Sequence, residues 1–242
     1  MKNIFIITTK CLKSARTLAA GLNNRSNGEL RANVHNPDKD YFRFHADDYI
    51  FRYGCSIDVG LIGGQKIINK AAAIKRCVSK YDTFDTLLAA NLPTVSYTRH
   101  HDRVPKEWEL IVARKSATGR KAEDLEYISH DDLPRFKEYE LFTEFFEHKY
   151  EYRIVVFNGA VVGRYYKREI DGEWNFMVQP KKGFETMDEA CIKAAEALKI
   201  DYVGFDVVAK TKKDFRILEA NSGPILTEEA EDAIISYYLN LE

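Results

Sequence analysis

Apolar residues in this chain cluster in short runs separated by polar turns, and only a few segments carry a helical period. "KNIFIITT" (2–9) reads as a buried strand, and "SARTLAAGL" (14–22) as a short amphipathic helix behind it. Residues 23–40, rich in Asn, Gly, Pro and charge, read as loop, and "YIFRYGC" (49–55) as a second strand. This front third predicts a small α/β unit. Helical stretches within 69–98 close near Asn91 and give way to Pro93 and a β-rich "TVSYT". "WELIVARK" (108–115), "LEYI" (125–128) and "ELFTEFF" (140–146) read as strands. "DDLPRFKEY" (131–139) reads as a helix with Pro134 in its first turn, where proline is tolerated. "WNFMVQ" (174–179) adds a strand, "TMDEACIKAAEALK" (186–199) a helix with a Thr186/Glu189 capping box, and about 227–241 a last helix.

Two hairpins stand out. In "YEYRIVVFNGAVVGRYYKREI" (150–170), Asn158-Gly159 is the preferred pair for a two-residue type I′ turn. An undisturbed register sets Arg153 opposite Arg164 and turns Lys167 to the other face. A bulge in the second strand would bring Lys167 round instead. In "GFDVVAKTKKDFRILEANSGP" (204–224), a turn centred on Lys212-Lys213 pairs Thr211 with Asp214 and Asp206 with Glu219. Acids at strand ends usually just face water. Here two of them stand roughly 5 Å apart at Cβ, where like charges destabilise a sheet. Asn221 lies two residues on, on the same face. Two carboxylates and an amide in one cluster are oxygen ligands for a hard cation such as Mg²⁺, which would cancel the repulsion.

Composition narrows the class. With 242 residues, 45% hydrophobic and 30% charged, the chain can bury a substantial core. No apolar run approaches the ~20 residues of a membrane span, and "IFII" (4–7) is too short for a signal peptide, so the expectation is a cytoplasmic protein with no membrane partner. Cys11, Cys55, Cys77 and Cys191 are scattered and read as reduced thiols, and His100-His101 as a solvated turn. Net charge is −1, so nucleic acid is not indicated. Residues 1–110 hold 17 Lys and Arg against 11 Asp and Glu, and the remainder 19 against 26, so any anionic ligand is better served by the front half.

The order of these parts resembles the ATP-grasp superfamily, and is most similar to RimK-type glutamate ligases and bacteriophage-encoded ATP-grasp proteins. Four stretches carry the resemblance: "CVSKYDTFDTLLAANLPTVSYT" (77–98), "LFTEFFEHKYEYRIVVFNG" (141–159), "YVGFDVVAK" (202–210) and "FRILEANSGP" (215–224). It runs from about residue 49 to the C-terminal helix. It implies an α+β ATP-grasp fold: an N-terminal α/β domain (1–76), then a small subdomain (77–142) and a C-terminal subdomain (143–242) that clasp ATP. Asp206, Glu219 and Asn221 match the positions that hold Mg²⁺, or Mn²⁺, against the phosphates. Lys80 matches a nucleotide-contacting lysine, and Arg114 or Lys115 the basic residue before the phosphate-covering loop. Glu144 and Phe146 match the adenine pocket on the hinge strand. Arg153 and Lys167 match the basic residues near the phosphate or reacting carboxylate, with Arg164 as the rival partner of Arg153.

Two departures matter. The covering loop "SATGRKAEDL" (116–125) keeps only Gly119 of the glycines usual there, and "WNFMVQPKKG" (174–183) matches poorly the segment that shapes the acceptor site, so glutamate specificity does not carry over. The implied activity is an ATP-dependent carboxylate–amine ligase working through an acyl phosphate. Its carboxylate would be a small molecule, peptide or protein, its acceptor an amine, and a homodimer follows by analogy. A kinase on the same fold, or a protein that holds ATP without turnover, would share the nucleotide site.

Overall fold

A computed structural model describes residues 1–40, 42–61, 65–118 and 125–241. The chain begins with β1 (Lys2–Ile7), α1 (Leu12–Arg25), β2 (Leu30–His35), β3 (Tyr49–Arg52) and β4 (Lys66–Ile68), whose strands form a parallel sheet in the order β2-β1-β3-β4. Two short helices follow, α2 (Ala71–Val78) and α3 (Lys80–Ala89). A small antiparallel sheet then takes β5 (Tyr97–Thr98), β6 (Ile111–Arg114), β7 (Leu125–Ile128) and β8 (Leu141–Glu144) in the order β5-β8-β6-β7. The last part holds β9 (Tyr150–Phe157), β10 (Ala160–Ile170), β11 (Glu173–Val178), α4 (Glu185–Leu198), β12 (Tyr202–Ala209), β13 (Phe215–Asn221) and α5 (Glu228–Leu239). Its strands form an antiparallel sheet in the order β11-β10-β9-β12-β13.

The central strands β9 and β12 of the large sheet are covered on both faces, which explains their near-continuous apolar runs. Tyr152, Ile154, Val156, Val203, Phe205 and Ile217 face α4, and α2 and α3 pack on the same side through Ala73, Cys77 and Leu87. The opposite face meets the N-terminal unit: Val155, Phe157, Tyr165 and Tyr202 join Ile4, Ile6 and Phe51, with α1 and α5 closing the layer. Beyond these apolar residues, that second face becomes polar and carries Arg153, Lys167, Asp206, Glu219 and Asn221.

The pattern of the chain misled in identifiable places. β2 lies where a loop is expected, because Arg31 and Asn33 occupy its exposed face and Ala32 adds little apolar signal to the buried one. β4 is three residues long and too short to show a period. Residues 94–98 yield only the two-residue β5. The helix expected over 131–139 is a 3-10 turn, His130–Arg135, with Pro134 inside it and Ser129 and Asp132 forming a capping box. The Thr186/Glu189 capping box is absent: α4 starts one residue earlier, Thr186 lies within it, and no side chain caps it. Asn158 and Gly159 do adopt positive φ, +46° and +75°, the conformation a type I′ turn requires. Among the described residues no helix is long and apolar enough to cross a membrane.

One buried side chain joins the N-terminal unit to the large sheet. Asn69, fully buried with φ +61°, follows β4. Its Oδ1 accepts from the backbone N–H groups of Asp201 (3.0 Å) and Tyr202 (2.7 Å), and its Nδ2 donates to the Tyr202 carbonyl (2.8 Å). The Asp201 carboxylate accepts from the Asn69 N–H in return (2.8 Å). Replacement of Asn69 by Ala strands buried backbone donors at the start of β12 and puts a Cβ-bearing residue without a local hydrogen bond at positive φ. The expected cost is about 3 kcal/mol of global stability, read from the urea midpoint.

Candidate active site

Two β-bulges build the site. In the β9–β10 hairpin the pairing runs Phe157–Ala160 and Val156–Val161, then slips by one at Val162, so that Val155 meets Gly163 and Arg153 meets Tyr165. Arg153 therefore does not oppose Arg164, as an unbroken register would have it. The slip carries Lys167 onto the Arg153 face. Arg164 turns to the other face, where its Nε and Nη2 bind Asp188 of α4 at 2.5–2.9 Å. In the β12–β13 hairpin the expected pairing holds from Gly204–Asn221 through Asp206–Glu219. It then slips at Leu218, and at the turn the N–H groups of both Lys210 (2.9 Å) and Thr211 (3.3 Å) donate to the Asp214 carbonyl. The two acids do face each other, and the bulge falls immediately beside them.

The cations answer the acids. β9 pairs with β12 so that Arg153 stands opposite Asp206. Arg153 Nε and Nη2 donate to the two Asp206 oxygens at 2.6 and 2.9 Å, and Lys167 Nζ donates to Oδ2 at 3.0 Å. Lys167 also lies 3.6 Å from Glu151, a neighbour that becomes visible only once the bulge is taken into account. Burial would raise the Asp206 pKa, but the charge and hydrogen bonds of Arg153, then of Lys167, outweigh it and hold the carboxyl below its ordinary value.

Glu219 has a different partner. Lys80, at the first position of α3 and buried, brings Nζ to 3.7 Å from Glu219 Oε2. Burial lowers the Lys80 pKa, Glu219 opposes the shift, and Arg114 adds to it. Arg114 is likewise lowered by burial and partly restored by Glu219. Of the adjacent pair on β6, Arg114 turns inward and Lys115 is exposed. Gly119 lies outside the described residues.

These groups line two spaces. An apolar slot between the sheets is bounded by Arg114, Glu144, Phe146, Val112, Val208 and Leu218. Glu144 also accepts from the Ser96 N–H at 3.0 Å, which fixes the hinge strand to the approach of β5. Lys210 and Arg216 lie against the Phe146 ring, 5.3 and 4.6 Å from its centre. The second space, about 290 Å³, is bounded by Lys80, Glu219, Asn221 and Thr118 on one side and by Lys10, Cys11 and Gly54 of the N-terminal unit on the other. The N-terminal residues carry no motif that marks them in the sequence. Their approach depends on Gly54 and Gly223: a Cβ on Gly223 would sit 3.2 Å from both Gly54 Cα and Cys11 Sγ.

Asp206, Glu219 and Asn221 offer hard oxygen donors on one face, which fits Mg²⁺. Among the described residues no group of three His, Cys, Asp or Glu side chains gathers, at this site or elsewhere, and the donors here are two acids and one amide.

Comparison with known proteins agrees with this geometry. Residues 135–238 match the model of the RimK-like ATP-grasp domain. No curated protein matches the chain. Among solved structures, the ATP-grasp ligase PsnB complexed with a minimal precursor superposes with a TM-score of 0.74 at 15% identity, over 97% of this chain and 99% of that one. The Chryseobacterium gregarium RiPP-associated ATP-grasp ligase, in complex with ADP and a leader and core peptide, gives 0.72 at 14%, over 98% and 96%. The Bacillus anthracis D-alanine–D-alanine ligase gives 0.66 at 11%, over 99% and 97%. The chain has the ATP-grasp fold, and its residues 135–238 match the model of the RimK-like ATP-grasp domain.

Proposed function

We propose that this chain is an ATP-dependent carboxylate–amine ligase that works through an acyl phosphate. The observation that carries the reading is the convergence of Arg153 and Lys167 on Asp206, beside Glu219 and Asn221 and at the end of an apolar slot. Adenine would lie in the slot against Phe146 and the hinge strand around Glu144. The triphosphate would run past Arg114 and Lys80 toward the acids. Asp206, Glu219 and Asn221 would hold Mg²⁺, or Mn²⁺, which supplies charge neutralisation at the β- and γ-phosphates when bound. PsnB has been captured with precursor, Mg and ADP, which supports the same pairing of nucleotide and metal here.

In the first step a substrate carboxylate oxygen attacks the γ-phosphorus, the bond to the β,γ-bridging oxygen breaks, and ADP leaves. In the second an amine nitrogen attacks the acyl carbon, the bond to the phosphate oxygen breaks, and inorganic phosphate departs, while the amine proton passes to phosphate or water. Neither step needs a nucleophilic side chain. The chain's task is placement and charge. Arg153 and Lys167 are suited to it because their partner, Asp206, is itself a proposed metal ligand. With Asp206 taken up by a cation, Arg153 and Lys167 would be free to turn to the transferring phosphoryl group and then to the tetrahedral oxygen. Peptides are bound by several structurally similar ligases, so a peptide carboxylate is the first class of substrate to test.

Three outcomes are expected. ADP release with a mixed carboxylate library should leave a product that hydroxylamine traps as a hydroxamate. A stable phosphoester in its place would point to a kinase, and no ADP with any pool to a binding protein. Glu219→Gln should abolish Mg²⁺-dependent ADP release and lower the urea midpoint only slightly, since it relieves the repulsion with Asp206 but also removes the counter-charge of buried Lys80. Asp206→Asn should cost on the order of 2 kcal/mol at pH 7, a value reduced for partial solvent screening. Because the folded Asp206 pKa lies below the unfolded value of about 3.9, the pairing stabilises the protein above that pH. The difference between wild type and variant should therefore shrink as the pH falls through the folded pKa, measured by urea unfolding between pH 7 and 3.

A further inference from the structure

β11 is the edge strand of the large sheet, and its residues Trp174 and Phe176 project onto the same face as the site. The pairing of β11 with β10 sets Phe176 opposite Lys167 and Trp174 opposite Glu169. Each aromatic ring carries one of the two cations. Lys167 Nζ lies 4.6 Å from the centre of the Trp174 ring, and Arg153 Cζ lies 5.4 Å from the centre of the Phe176 ring. Phe176 is half-buried against the core between the sheet and the N-terminal unit. Trp174 remains 50% exposed.

An exposed tryptophan at a sheet edge is a poor choice for stability or solubility, and its inner face is the part that has work. Lys167 is a long, flexible side chain with a strongly hydrated head. Two carboxylates, Asp206 and Glu151, hold its ammonium from the sheet side. Without a third wall the side chain is free to swing to solvent once a metal takes up Asp206. The indole supplies that wall: it attracts the ammonium through its π face and adds no negative charge to compete with phosphate. The contact depends on the bulge at Val162, which brings Lys167 to this face at all.

We propose that Trp174, backed by Phe176, is a positioning residue that keeps Lys167 over the site when Asp206 is withdrawn from it. The turnover part of this proposal rests on the ligase reading, whereas the placement of Lys167 under the indole does not.

Two measurements on the full chain separate these parts. Lysines are converted to ¹³C-dimethyl-lysine and observed by NMR. The ring current of the indole should move the Lys167 methyl resonance upfield, and loss of that resonance in Lys167→Arg assigns it. Trp174→Leu should return it to the position of exposed lysines, and Trp174→Phe should leave it partly displaced. A Lys167 resonance that is undisplaced in the wild type, or unmoved by Trp174→Leu, overturns the proposal, whatever the protein catalyses. In the second measurement hydroxamate formation is followed at saturating Mg-ATP. Trp174→Leu should lower kcat about tenfold, with the KM for ATP and the urea midpoint unchanged, and Trp174→Phe should recover most of the rate. An unchanged kcat, or a midpoint that falls in step with it, overturns the positioning role. If the wild type forms no hydroxamate, the ligase reading fails and the NMR result alone decides the placement.

Discussion

Two carboxylates set opposite each other on neighbouring strands repel, and the site is organised around keeping them there. Asp206 and Glu219 face each other across β12 and β13, yet each is neutralised from a different direction. Arg153 and Lys167 reach Asp206 along the sheet, from β9 and β10. Lys80 reaches Glu219 from the helix layer, with Arg114 of the small sheet adding positive charge nearby. The acids are thus a junction where all the elements bordering the cleft meet. Repulsion that is offset by side-chain cations can be offset equally well by a divalent cation, and the proposed nucleotide site would use this interchangeability.

The bulges make the junction possible. A β-sheet alternates its side chains strictly, so an unbroken β9–β10 hairpin would deliver two opposed arginines and leave Lys167 on the far face. One extra residue at Val162 reverses this for the outer half of β10. Arg164 then pairs with Asp188 in the helix layer, and Lys167 joins Arg153. The slip at Leu218 does similar work in β13: it preserves the alternation on the acid side while the turn end shifts by one. β13 is anchored in the core by Phe215, Ile217 and Ala220, and β10 by Tyr165.

The legible and illegible parts of the sequence divide along physical lines. The acid pair, Asn221 and the type I′ turn were legible, because opposed charges and positive-φ residues leave marks that depend only on short-range register. The choice between Arg114 and Lys115 was not, since both are cations and only the inward turn of one strand decides it. The choice between Lys167 and Arg164 rested on a bulge at Val162 whose one mark in the sequence is the adjacent Gly163 inside the strand. β2 was missed because small and polar residues hide a two-residue period, and Lys10, Cys11 and Gly54 because their proximity to Asn221 is created by the packing of distant segments.

The central proposal is that Asp206 and Glu219 exchange their protein cations for a nucleotide-bound divalent ion that Asn221 helps to hold. Electron paramagnetic resonance of Mn²⁺ tests it most directly, with no substrate needed. Titration of the protein with Mn²⁺ should show weak binding alone, because Arg153 and Lys167 occupy Asp206, and much tighter binding when ATP is present to draw those side chains away. The nucleotide-dependent signal should be lost in Glu219→Gln. Mn²⁺ that binds equally well with and without ATP, or an unchanged Mn²⁺–ATP signal in Glu219→Gln, would contradict the account.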